Sequence, residues 1–99
     1  MNMQALMRQA QNLQKDMLKA KEEVDQTEFV GTSSFVSVRV NGKKEILSIK
    51  IDKEEGVQND ELEIVEDMLL IAINDAMKQV DELTEKKMGK FSNMMPGMF

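Results

Sequence analysis

The stretch "FVSVRVNGKKEILSIKID", Phe35 to Asp52, decides the fold. Val36, Val38 and Val40 alternate with Ser37, Arg39 and Asn41, and Leu47, Ile49 and Ile51 alternate with Ser48 and Lys50. A period of two in β-branched residues on either side of Asn41-Gly42 is the pattern of a hairpin with one apolar face. Facing residues of an antiparallel pair point to the same side, so the register follows from matching apolar to apolar. A two-residue loop would set Val38 against Glu45 and Val40 against Lys43. A four-residue loop, Asn41 to Lys44, sets Val38 against Leu47 and Val36 against Ile49, and this is the register predicted. Glu28 to Gly31 reads as a short third strand, turned by "GTSS". A sheet this small with one apolar face needs something to cover it.

The flanks supply helices. Upstream, apolar or small residues fall at Met3, Leu6, Ala10, Leu13, Met17, Ala20 and Val24, alternating steps of three and four, with no proline or glycine before Gly31. That is a heptad a/d seam, and it predicts one long helix. About 24 residues at 1.5 Å each span roughly 36 Å, more than a domain of this size needs for its own core. Part of the helix is therefore expected to project or to pack on another chain.

Downstream, "DKEEGVQND" is a polar connection, and Asp60 with Glu63 fits a capping box at the start of a second helix. Leu62, Val65, Leu69, Ala72, Ala76, Val80 and Leu83 form its stripe, broadened by Met68, Ile73 and Met77. Within "MLLIAI", Leu69, Leu70, Ile71 and Ile73 make the helix apolar all round, so this part is expected to be buried on more than one side, by the sheet and by a second subunit. The helix is expected to end near Met88, with Gly89 as its stop. Residues 1–91 then form a single domain, and 92–99, aperiodic and carrying Pro96 and Gly97, a mobile methionine-rich tail.

The 99 residues include no cysteine and no histidine, which removes disulfides, thiolate nucleophiles, Ser/His/Asp triads and the usual zinc sites. The glycines stand singly, so there is no phosphate loop. An enzyme is not expected, nor a cofactor. "MNMQALMRQAQ" has neither the apolar run of a signal peptide nor that of a membrane span, which points to a cytoplasmic protein. In the acidic run "ELEIVED", Glu63, Glu66 and Asp67 sit at helical spacing, but dipole complementarity and a solvated face account for them without a metal. Met3, Met17, Met68 and Met77 lie on the apolar stripes and read as core, whereas Met94, Met95 and Met98 do not.

The net charge of −5 argues against a polyanion partner, but its distribution does not. Residues 1–20 carry Arg8, Lys15 and Lys19 against Asp16 alone, and residues 86–99 carry Lys86, Lys87 and Lys90 against no acid. Asp60, Glu61, Glu63, Glu66, Asp67 and Asp75 crowd an interior stretch that holds no base. Arg8, Lys15 and Lys19 share an outward stripe opposite the a/d seam, which by spacing alone is an ordinary solvated face. If the two helices pack antiparallel, Arg8 approaches Lys86, Lys87 and Lys90, and all six cations share one end.

Taken together, "LMRQAQNLQ" (6–14), "VSVRVNGKKEILSIKID" (36–52), "EDMLLIAINDA" (66–76), "EKKMG" (85–89) and "MPGMF" (95–99) resemble the YbaB/EbfC family of bacterial nucleoid-associated proteins. The resemblance implies an α+β fold, helix, three-stranded antiparallel sheet and helix (αβββα), in an intimate homodimer whose helical arms project like tweezers. It also implies DNA binding, with a role in nucleoid organisation and gene expression. Mapped onto this chain, Arg8, Lys15, Lys19, Lys86, Lys87 and Lys90 become the expected phosphate contacts, chosen by charge and position. The implied partners are DNA and a second copy of the chain, with no membrane, small-molecule substrate, metal or cofactor. Two features depart from the family pattern: "GTSSF" is poorer in glycine, and the net charge is negative. A different reading is a dimeric adaptor that meets a protein partner through its acidic helix face or its methionine tail.

Overall fold

A computed structural model describes residues 2–94, with side chains through Phe91. Helix α1 spans Met3–Gln26, strands β1, β2 and β3 span Glu28–Ser33, Val36–Asn41 and Ile46–Ile51, and helix α2 spans Leu62–Met94. The strands form one antiparallel sheet in the order β1-β2-β3, so the αβββα architecture is as the sequence predicts. The molecule is long and thin, 71 × 19 × 14 Å, because both helices outrun the sheet.

Local chemistry sets the element ends. Asn2 Oδ1 accepts from the Gln4 N–H (3.0 Å) and starts α1. The Thr27 N–H closes α1 on the Val24 carbonyl, and β1 begins one residue later. Before α2 the cap differs from the Asp60/Glu63 expectation: a single 3-10 turn, Asn59–Glu61, precedes the helix, and Glu61 reaches back to the Gln58 N–H (3.0 Å). Glu61 also pairs with Lys53, which ties the ends of the polar connection together. The Lys53 ammonium, with the Gln58 N–H, holds the Glu61 carboxyl below its usual range.

Strand β1 runs two residues past Gly31, to a tight turn at Ser34 and Phe35, where Ser34 adopts φ 53°. The β2–β3 register also departs from expectation. Val38 faces Ile49 and Val36 faces Ile51, two residues along from the predicted partners. Two causes add. The Asn41 N–H bonds to the Glu45 carbonyl, so the loop is three residues, Gly42 to Lys44, with Lys44 rather than glycine in the left-handed region (φ 64°). A bulge opposite Arg39/Val40 then inserts one further residue, since Val40 faces Ile46 while Arg39 faces Ser48. The Asn41 side chain organises the turn, its Oδ1 accepting from the Lys43 and Glu45 N–H groups (2.9 and 3.1 Å). Gly42 is needed for a different reason: a Cβ there would lie 1.7 Å from the Val24 carbonyl oxygen, where the turn tucks under the end of α1.

The core lies between α2 and two of the three strands. Phe29 of β1 and Val36, Val38 and Val40 of β2 pack on Ala72, Ala76 and Val80 of α2, with Met68, Leu69, Ile73 and Met77 around the edge. The helix sits so low that a Cβ on Gly31 would meet the Ala72 carbonyl oxygen at 1.9 Å and the Ala76 nitrogen at 2.6 Å. It also closes the free edge of β1, where Gln79 Nε2 donates to the Val30 carbonyl (2.8 Å) and Asp75 accepts from the Thr32 N–H (3.2 Å).

Strand β3 receives no such cover. Helix α2 contacts β1 and β2 but not β3. Ile46, Ile49 and Ile51 face Val40, Val38 and Val36 across the ladder and so continue the same apolar face, yet they are 47%, 50% and 43% exposed. Of the residues expected to be doubly buried in α2, Leu69 and Ile73 lean on the core, whereas Leu70 and Ile71 are exposed within this single chain.

Candidate nucleic-acid interface

The two helices pack side by side and antiparallel at the end away from the 3-10 turn. Met17 of α1 meets Met88 and Phe91 of α2, with Leu13 and Ala20 around them, and Glu23 faces Lys87. Helix α2 thus runs through Gly89 to Met94 instead of stopping at Met88. A glycine inside a helix costs only about 1 kcal/mol. Burying Phe91, 2% exposed, against Met17 outweighs that. Residues 92–94 therefore belong to the helix, and the remainder of the expected tail, 95–99, lies outside the described residues.

Helix α1 divides into two halves. From Leu13 to Val24 its a/d seam is used, with Met17 and Val24 buried. From Met3 to Asn12 every residue is exposed, including Met3, Leu6 and Ala10 of the same seam. This half projects from the paired helices, and the projection and the pair together form one helical arm.

The expected cations are distributed along this region. Lys86, Lys87 and Lys90 line one depression together with Ala20 and Glu23. Lys15 and Lys19 are exposed on α1, and the Lys90 ammonium lies 5.0 Å from the centre of the Phe91 ring. Arg8 is nine residues before Met17, which places it about 13 Å further out along the helix axis. The cations are thus spread along α1 and the last turns of α2, with Lys86, Lys87 and Lys90 as one compact group.

Their pairing differs from that of most other cations. Among the described residues, Arg8, Lys15, Lys19, Lys86 and Lys90 have no ion-pair partner, and neither do Lys43 and Lys78. Lys21, Arg39, Lys44, Lys50 and Lys53 each lie within 4 Å of a carboxylate, of Asp25, Glu28, Asp81, Asp52 and Glu61 respectively. Lys87 is the exception among the arm cations, donating to Glu23 Oε2 at 3.0 Å. That bond, reinforced by the charges of Lys87 and Lys19, holds the Glu23 carboxyl below its ordinary range. Sequence reading missed Glu23, since nothing local marks a residue whose partner is 64 positions away.

Unpaired ammonium and guanidinium groups on a projecting helical arm can engage an extended polyanion, releasing the counterions condensed on it. Among the described residues no group of three or more acidic side chains is placed to hold a metal ion, and no helix is long and apolar enough to cross a membrane.

A family model described as the YbaB/EbfC DNA-binding family matches residues 1–95. The chain is 48% identical to a nucleoid-associated protein of Exiguobacterium sibiricum, a match covering 99% of this chain and 95% of that protein. It is 40% identical to a nucleoid-associated protein of Ligilactobacillus salivarius, again over 99% of this chain and 95% of the relative. A crystal structure of the uncharacterized protein HP0035 from Helicobacter pylori superposes with a TM-score of 0.68 at 25% identity, covering 95% of this chain and 98% of that one.

Proposed function

The chain belongs to the YbaB/EbfC DNA-binding family, and on that premise we propose that it binds DNA as a homodimer, gripping the phosphate backbone with the cations of its two arms. The observation that carries this reading is the pairing pattern: five of the six arm cations lack an acidic partner among the described residues, in a protein whose net charge is −5. Phosphate contacts position a protein on the duplex without reading bases, so binding is weakly selective for sequence. Association with the nucleoid and a broad influence on gene expression follow from that mode of binding.

The dimer is supported by what one chain leaves in water. The apolar face continues from β2 onto β3 with nothing over Ile46, Ile49 and Ile51, and Leu70 and Ile71 stand exposed on α2. An uncovered aliphatic strand face ending in an open strand edge supports a subunit contact there, and Leu70 and Ile71 add exposed aliphatic area on the helix. A second copy covering it would put two arms on one particle. Sedimentation velocity tests both parts. The chain should sediment as a dimer and carry a short labelled duplex with it, while Ile49→Asp should sediment as a monomer. A folded monomeric species of the unsubstituted chain, or a duplex that sediments alone at low salt, would contradict the proposal.

A further inference from the structure

Resting on the reading that the arms bind the DNA backbone, we infer that Glu23 is an internal competitor for phosphate, a carboxylate that occupies Lys87 inside the cation group and must release it when a duplex engages. Glu23 lies in the wall of the depression lined by Lys86, Lys87 and Lys90. Its oxygen is 3.0 Å from the Lys87 ammonium, the position a phosphate oxygen would take in a charge-assisted bond. Lys19, one helical turn before it, adds to the positive field on the same carboxylate.

The obvious alternative is a structural clamp between α1 and α2. The geometry argues against it. Both side chains are well exposed, Lys87 at 38% and Glu23 at 49%, and an ion pair in that setting adds little to folding. Met17, Met88 and Phe91 already hold the two helices together without it. A solvated pair is also easily exchanged, because the incoming phosphate replaces one anion by another while the carboxylate returns to water. Glu23 therefore sets an affinity ceiling: it removes one cation from each arm and leaves a negative charge beside the bound backbone.

The test compares the full chain with Glu23→Gln and Glu22→Gln by fluorescence anisotropy on one labelled duplex, over a salt series starting at about 50 mM. Glu22 is the matched control, with the same change in net charge, but its carboxylate accepts from Gln26 (3.2 Å) outside the cation group. Glu23→Gln should bind roughly three- to tenfold more tightly, with a salt slope steeper by up to about one per arm, and Glu22→Gln should change affinity by less than about twofold. An unchanged or weaker affinity for Glu23→Gln, with the unsubstituted chain binding normally, overturns the competitor role alone. An equal gain in both variants assigns the effect to net charge and also overturns it. If none of the three binds DNA, the reading of the arms fails and the inference falls with it.

Discussion

Replacing Gly31 with alanine is expected to destabilise the protein by about 3 kcal/mol, although it adds one methyl group. The methyl would sit 1.9 Å from the Ala72 carbonyl oxygen and 2.6 Å from the Ala76 nitrogen, and both are helix backbone that cannot rotate aside. Relief requires lifting α2 off the sheet. That would loosen the contact of Ala72, Ala76 and Val80 with Phe29, Val36, Val38 and Val40, which is the core of the fold. For a domain of this length about 3 kcal/mol lowers Tm by roughly 12–24 °C, readable by circular dichroism or calorimetry. Gly89→Ala provides the contrast. Gly89 lies inside α2 with only the flexible Glu85 side chain near its Cβ position, so alanine there should raise stability by about 0.5–1 kcal/mol through helix propensity. A Gly31→Ala variant as stable as the parent would show that the helix does not rest on the sheet at this point.

The largest effect on binding is expected from reversing Lys86, Lys87 and Lys90 to glutamate together. At about 0.1 M salt each backbone contact contributes close to a factor of eight through counterion release, so losing three should cost roughly 500-fold for each arm that contacts the duplex, before the repulsion of the new carboxylates is added. The salt slope should become shallower by about 2.7 for each arm that contacts the duplex. Lys43 and Lys78 are the control: they too are exposed and lack ion-pair partners among the described residues, but they are not on the arm. Their reversal to glutamate should weaken binding by less than about fivefold, the share owed to net charge. Anisotropy measures both, and because the substituted side chains are exposed or half-buried, far-ultraviolet circular dichroism should show the fold unchanged.

The sequence was most legible where a period decides the answer. The heptad seam from Met3 to Val24 gave α1, and the alternation of Val36, Val38 and Val40 gave β2 and its buried face. The same alternation could not settle register, because a slip of two residues sets valine against another aliphatic residue on the same face. Ile49 and Leu47 were equally good partners for Val38 until the turn chose between them. The choice depended on Lys44 taking a positive φ and on a bulge, and neither has a strong sequence signal.

The end of α2 is the opposite case. Gly89 is a local stop signal, but Phe91 finds Met17 from the other end of the chain, and that long-range burial carries the helix onward. The arm cations could be listed from charge alone. Their arrangement could not, since the grouping of Lys86, Lys87 and Lys90 around Glu23 depends on how two helices far apart in sequence lie against each other.

Backbone binding by the arms is tested most directly by following the association constant of the unsubstituted chain for two short duplexes of unrelated sequence as salt is raised. Phosphate contact predicts binding at low salt to both, within a few-fold of each other, and a straight fall of log K against log salt with a slope steeper than about −3. Absence of binding at low salt, a flat salt dependence, or a strong preference for one sequence would contradict it.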